Sequence, residues 1–301
     1  MIDKIWYNSF TMNKVKIITD SNSGITQEEA KTLGVTVLST PFMINGKEYY
    51  EGKTLSEEQF YKFLAEDANV STSQPSIGDV TDLWDKELAD GSDVIYIPLS
   101  SGLSESCHTA ERFAASDYAG RVYVVDNQRI SITQKQSVMD ALTMVNKGMS
   151  AKEIYDVLME TKMQAGIYIT LETLKYLKKG GRLTPAAALI GSILRIKPVL
   201  QIQGEKLDAY KKVTTMRKAK EVMTEALRHD LTTRFAELAK NGEMMIAVAH
   251  TANAEAAKQF AEELKVEFPD IPVTYVDPLS LVVSCHIGPG ALACGCFRVI
   301  K

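Results

Sequence analysis

The sequence predicts an α/β protein made of two three-layer α/β domains with mainly parallel sheets, and three observations lead to that class. Short β-rich runs alternate with helical stretches, the pattern of sheets covered by helices. Runs such as VIYIP (residues 94–98) and RVYVVD (residues 121–126) read as buried strands, each followed by a helix. At 301 residues, 45% hydrophobic and 24% charged, the chain has the length for two cores and the composition of an ordinary globular protein.

The elements follow in order. Residues 15–19 read as the first strand, 26–33 as a helix and 35–38 as the next strand. PFMINGKEYY carries Asn45-Gly46, the dipeptide that favours a tight hairpin. Ser56 with Gln59, and later Ser150 with Glu153, have capping-box spacing before helical segments, the second ending near Lys162. AGIYIT (residues 165–170) restarts the pattern, so the expected domains are residues 14–164 and 165–301. A helix over 171–179 should stop at Gly180-Gly181, and Pro185 is placed to open another. Strands around 198–203 and 206–211 flank Gly204-Glu205 as a hairpin, and a long helix is expected over 215–240. EMMIAVAH, a helix over 252–264, PVTYV, a strand through LSLVVSCH (residues 279–286) and the strand ALACGCFRVI complete the second domain.

Composition excludes several functions. A net charge of −4 argues against a general nucleic-acid surface. No apolar run approaches the roughly 20 residues of a membrane span; PAAALIGSIL (residues 185–194) comes nearest and is too short. MIDKIWYNSF lacks the features of an export signal, so the cytoplasm is the expected location, and the residues before Met12 read as a short extension or a misplaced start. Cys107, Cys285, Cys294 and Cys296 fit no zinc spacing, and ALACGCFRV reads as a buried strand, so small core residues are expected rather than a metal site.

Chemistry concentrates in three polar segments. STSQPS (residues 71–76) precedes a helix, PLSSGLS (98–104) follows the strand VIYIP, and SCHIGPG (284–290) follows the expected strand LSLVV. Ligands of open α/β sheets collect beyond the carboxyl ends of strands. Each segment has a purely structural reading, with Ser76 and Ser104 as helix caps and Gly288-Pro289-Gly290 as a turn. Together they have the makings of a small anion site of hydroxyls, amide N–H groups and one imidazole.

With DSNSG (20–24), VVDN (124–127), LKKGGRL (177–183) and HIGPG (286–290) in the same order, the chain resembles the DegV family from about Lys14 to Ile300. The resemblance implies a long-chain fatty acid such as palmitate bound between two α/β domains, with no cofactor or metal and no catalysis by this chain. It also implies a separate kinase subunit that phosphorylates the bound carboxylate. Carried over by position, Thr72 and Ser101 would meet the carboxylate, with Ser100 as the adjacent candidate and His286 closing the network. Arg182 and Asp20 would support the site. Where many relatives have LSGTY, this chain has LSESCHT (103–109), a departure on the far side of the serine loop. Hydrogen bonds to a charged group contribute roughly 1.5–3 kcal/mol each, and each buried CH₂ about 0.8 kcal/mol. The tail therefore outweighs the headgroup, and PAAALIGSIL is a candidate tunnel wall.

The rival reading is a serine hydrolase or acyltransferase with Ser101 as nucleophile, His286 as base and Asp20 or Asp126 orienting it. GLSES is not a nucleophile elbow, and the sequence has neither a dinucleotide fingerprint nor a P-loop. A final feature is charge. Twelve Lys or Arg and three acids lie between Glu172 and Lys220, and Lys211, Lys212, Arg217 and Lys218 are candidates for docking an acidic kinase surface.

Overall fold

The computed structural model of the chain describes residues 14–181, 196–204 and 206–301. Its first half runs β1 (Val15–Asp20), α1 (Gln27–Leu33), β2 (Thr36–Leu38), β3 (Pro41–Ile44), β4 (Lys47–Tyr50), α2 (Glu57–Ala65), β5 (Val70–Thr72), α3 (Ile77–Leu88), β6 (Asp93–Ile97), α4 (Ser106–Asp117), β7 (Val122–Val124), α5 (Ser131–Asn146) and α6 (Ala151–Glu160). The second half runs β8 (Ala165–Thr170), α7 (Lys175–Gly180), β9 (Lys197–Ile202), β10 (Leu207–Val213), α8 (Met216–Thr232), α9 (Ala236–Lys240), β11 (Met244–His250), α10 (Ala254–Glu267), β12 (Val273–Pro278), α11 (Leu281–Ile287) and β13 (Leu292–Arg298).

Strands β2-β1-β6-β7 form a wholly parallel sheet. Both its faces are covered, because strand side chains alternate. Ile95 and Ile97 of β6 pack towards α5 and α6, while Val94 and Tyr96 pack against Trp84 of α3 and Ala110 of α4. The second sheet, β10-β9-β8-β13-β11-β12, departs from the expected parallel arrangement: β11–β12 is its one parallel pair, and its other four pairs are antiparallel. The β9–β10 hairpin needs no crossover helix, and β13 enters antiparallel between β8 and β11. One face packs on α8 and α10 through Tyr168, Val248, Cys294 and Cys296. The other, with Ile167, Ile169 and Ala293, faces Leu99, Ile130 and Ile132 of the first half. A small antiparallel sheet, β4-β3-β5, turns at Asn45-Gly46, both in the left-handed region, as the hairpin signal required. With α2 it covers α11 through Phe42, Phe60, Leu281 and Val282.

Three expected elements change. LSLVVSCH is not a strand: Leu281–Ile287 is α11, capped by the Ser280 hydroxyl, which accepts from Val283 N at 3.2 Å. A short apolar run buried on all sides has no period that separates strand from helix, and the cap decides it. The long helix over 215–240 breaks after Thr232, where the hydroxyls of Thr232 and Thr233 donate back to Arg228 O and His229 O. The helix over 171–179 is shorter, Lys175–Gly180, and ends as expected on Gly181 in the left-handed region. The helix expected from Pro185 lies outside the described residues. All four cysteines are free and buried, with Cys294 and Cys296 side by side in the core.

The halves interlock through α5. Lys135, buried, donates to Glu29 Oε1 of α1 at 2.9 Å and to Asp277 Oδ2 of β12 at 2.8 Å, above the Tyr275 ring. Among the described residues no helix is long and apolar enough to cross a membrane.

Candidate functional site

A cavity lies between the inner face of the second sheet and the loops that leave the carboxyl ends of the parallel strands, the place where an open parallel sheet leaves room for ligands. Its floor is apolar: Ile167 and Ile169 of β8, Ile202 of β9, Leu207 of β10, Ala249 of β11 and Ala293 of β13. Its polar side chains come from the loops after β1, β2, β5, β6 and β7, and from α11. They are neutral hydroxyls and amides, chiefly Asn22, Thr40, Thr72, Ser104 and Ser131, with His286 as the one titratable group. Among the described residues no lysine, arginine, aspartate or glutamate lines it.

Two carboxylates behind this lining hold the loops in place. Asp20, at the end of β1, accepts from Leu99 N at 2.7 Å, from Asn22 N and Nδ2 at 2.9 Å each, and from Gln134 Nε2 at 3.2 Å. Burial pushes its carboxyl above the ordinary range, and these four bonds oppose that by favouring the ionised form. Asp126, after β7, accepts from Ser101 Oγ at 2.6 Å and Ser101 N at 3.2 Å. The serine loop is therefore clamped by Ser101, and Leu103 and Ser104 face the cavity.

The second half contributes α11. His286 sits in its last turn, and its Nε2 lies 2.9 Å from Thr72 Oγ1 at the end of β5. A Cβ on Gly180 would stand 2.2 Å from His286 Nδ1, so the first glycine of the LKKGG motif is there for close approach, not for its backbone angle. At the amino end of α11 the half-buried Glu51 carboxylate accepts from Leu281 N at 2.9 Å. Burial raises its pKa to about 7, the Leu281 bond opposes the rise, and Glu57 adds to it. Midway along the helix Tyr61 Oη and Ser284 Oγ are 3.0 Å apart.

The structure thus unites Thr72 and His286 and separates them from Ser100 and Ser101. Ser100 is buried, its hydroxyl accepting from Gly102 N at 3.3 Å, and neither serine lines the cavity. Ser104, three residues beyond Ser101 in the same loop, does line it. The hydrolase arrangement is not assembled, because Ser101 meets Asp126 while His286 meets Thr72. Asp20 supports the loops from behind the lining. Arg182 and the segment PAAALIGSIL lie outside the described residues. Asn22, Thr40, Gln134 and Glu51 were not singled out beforehand; Asn22 alone had a signal, inside DSNSG. Lys211 and Lys212 are exposed on the edge strand β10 and do not line the cavity, and Arg217 and Lys218 pair with Glu221 at 2.6 and 2.8 Å in the first turns of α8. Among the described residues no group of three or more His, Cys, Asp or Glu side chains is arranged to hold a metal.

The DegV family profile, described as one of uncharacterised proteins, matches residues 14–299. A DegV domain-containing protein of Deinococcus radiodurans is 31% identical over 281 residues, which are 92% of this chain and 96% of that protein. Among solved structures, a fatty acid binding DegV family protein from Streptococcus agalactiae superposes with a TM-score of 0.84 at 27% identity, covering 96% of this chain and all of that one. DegV of Bacillus subtilis, described as a fatty acid binding protein, does so at 0.81 and 29% identity, covering 95% of this chain and 100% of its own. With nearly the whole chain matched in sequence and in fold, this protein belongs to the DegV family.

Proposed function

We propose that this chain binds a long-chain fatty acid and, as a non-catalytic carrier in the cytoplasm, presents its carboxylate to a separate kinase subunit for acyl-phosphate formation. The observation that carries the reading is the polarity of one cavity, lined by hydroxyls and His286 from the loops and α11 and by an apolar floor across the second sheet. The fatty-acid-binding relatives at 27% and 29% identity support it. In this reading Thr72 Oγ1 and Ser104 Oγ donate to the carboxylate, and His286 Nε2, within reach of the same oxygen as Thr72, completes the set. The floor takes the tail, which supplies most of the affinity at about 0.8 kcal/mol per buried CH₂.

Docking of the kinase is assigned to the basic face at Lys211, Lys212, Arg217 and Lys218. Two cations in the first turns of α8, with no acidic residue in its first turn, oppose the helix dipole. Glu221 pairs with both, and with the exposed Lys211 and Lys212 beside them the face keeps a net positive charge for a partner's acidic surface. Native mass spectrometry of protein purified without added lipid tests binding: a fatty acid of defined mass at one per chain is expected, and a ligand-free spectrum that palmitate does not change would sink the reading. Reversing the four charges should impair acyl phosphorylation at low salt and leave palmitate binding intact; unaltered phosphorylation would place the partner elsewhere.

A further inference from the structure

Resting on the fatty-acid reading, we infer that Ile202 and Leu207 form an end wall that sets the longest acyl chain the cavity takes. The polar end of the cavity is at Thr72 and His286, and His286 packs against Gly180 of α7, the helix that follows the carboxyl end of β8. Along β8 the two floor residues are therefore at different depths. Ile169, one residue from that end, is the near one, and Ile167 is the far one. Ile167 is paired with Ile202 across β8–β9, and Ile202 with Leu207 across β9–β10, so the far row runs out to the edge strand of the sheet.

Small and large side chains are distributed along this path. On the central strands the floor is Ala249 opposite Ala293, a low stretch that leaves room for a chain. Towards β8, β9 and β10 it rises to Ile169, Ile167, Ile202 and Leu207. The turn after Ile202 contains Gly204, with φ +120°, and a Cβ there would be 3.3 Å from Met163 Cε and 3.5 Å from Gln128 Oε1. Met163 is itself 47% exposed. The far row of the lining is wholly aliphatic, and its bulk decides how many methylenes fit.

The test is competition among saturated acids from dodecanoate to eicosanoate, with occupancy by length read by native mass spectrometry. It compares the wild type, the double variant Ile202→Ala with Leu207→Ala, and the single variant Leu207→Phe. The most occupied length should move up by about two carbons or more in the double variant and down in Leu207→Phe, each methylene gained or lost changing affinity about fourfold. Leu207→Phe decides alone if the double variant fails to fold. An unchanged preferred length in variants that still bind acid overturns the end wall while leaving fatty-acid binding standing. A wild type that takes none of the acids overturns the fatty-acid reading, and the end wall with it.

Discussion

Thr72 Oγ1 and His286 Nε2 lie 2.9 Å apart although 214 positions separate them in the chain, and their contact joins the small sheet to α11 in the lining of the cavity. Both atoms can turn to one ligand oxygen. Thr72→Ala removes a donor and should weaken palmitate binding by about 1–3 kcal/mol, whereas Thr72→Ser, which keeps the hydroxyl, should lose far less. Calorimetric titration of the two variants checks this, and equal losses would show that the methyl group matters instead.

Ser104 and Ser101 are predicted to part company. Ser104 faces the cavity, and Ser101 donates to Asp126 at 2.6 Å. Ser104→Ala should weaken palmitate binding by about 1–2 kcal/mol, and loss of the bond from Ser106 N, 3.2 Å from its hydroxyl, should lower the unfolding free energy by no more than about 0.5–1 kcal/mol. Ser101→Ala leaves Asp126 without its short bond and should lower the unfolding free energy by about 1–3 kcal/mol. Parallel urea titrations and binding curves separate the effects, and the opposite pattern would return the headgroup to Ser101.

Gly180 should tolerate no side chain. A Cβ there would stand 2.2 Å from His286 Nδ1, well inside contact distance, so Gly180→Ala must displace the ring. A loss of palmitate affinity of at least about tenfold is expected, a displaced group giving up its hydrogen bond. Alanine suits a helix better than glycine does, so helix propensity would act in the opposite direction. Retained affinity would mean that His286 does not set the headgroup geometry.

How far the sequence foretold this site depends on which force placed each residue. Asn45-Gly46, the capping boxes at Ser56 and Ser150, and Gly181 act within a few residues, and each was legible. Thr72 and His286 were legible through the family's motifs, but their contact is tertiary. The serine loop was legible as a loop. Which of its three serines turns inward depends on Asp126, some 25 residues on, and no local pattern encodes that bond. LSLVVSCH was misread because burial on all sides erases periodicity, and the antiparallel second sheet because strand order follows from long-range pairing.

Lys135 offers a prediction about the joint between the halves. Its ammonium, with a side chain 7% exposed, bridges Glu29 and Asp277. Lys135→Met would leave Asp277 facing an apolar side chain and Glu29 without its partner. Removing one member of a buried ion pair costs about 3–5 kcal/mol, and the partial exposure of Glu29 lowers the expectation to about 2–3 kcal/mol. Chemical denaturation measures it, and a loss below about 0.5 kcal/mol, the scale of exposed pairs, would show that the bridge is solvated.

Glu51 provides a pH-dependent prediction. Burial lifts its pKa from 4.5 to about 7 in the folded chain, the Leu281 N–H opposing and Glu57 reinforcing the shift. The folded state therefore holds this proton more tightly than the unfolded state. Its stabilising contribution is complete below the unfolded value of 4.5 and is lost as pH rises through about 7. Glu51→Gln keeps an acceptor for Leu281 N and cannot ionise. The variant should match the wild type near pH 4.5 and exceed it by about 1–3 kcal/mol near pH 8. Unfolding free energies across this range provide the measurement. A difference that stays flat with pH would mean that Glu51 ionises at its ordinary value, with water reaching its carboxylate beside α11.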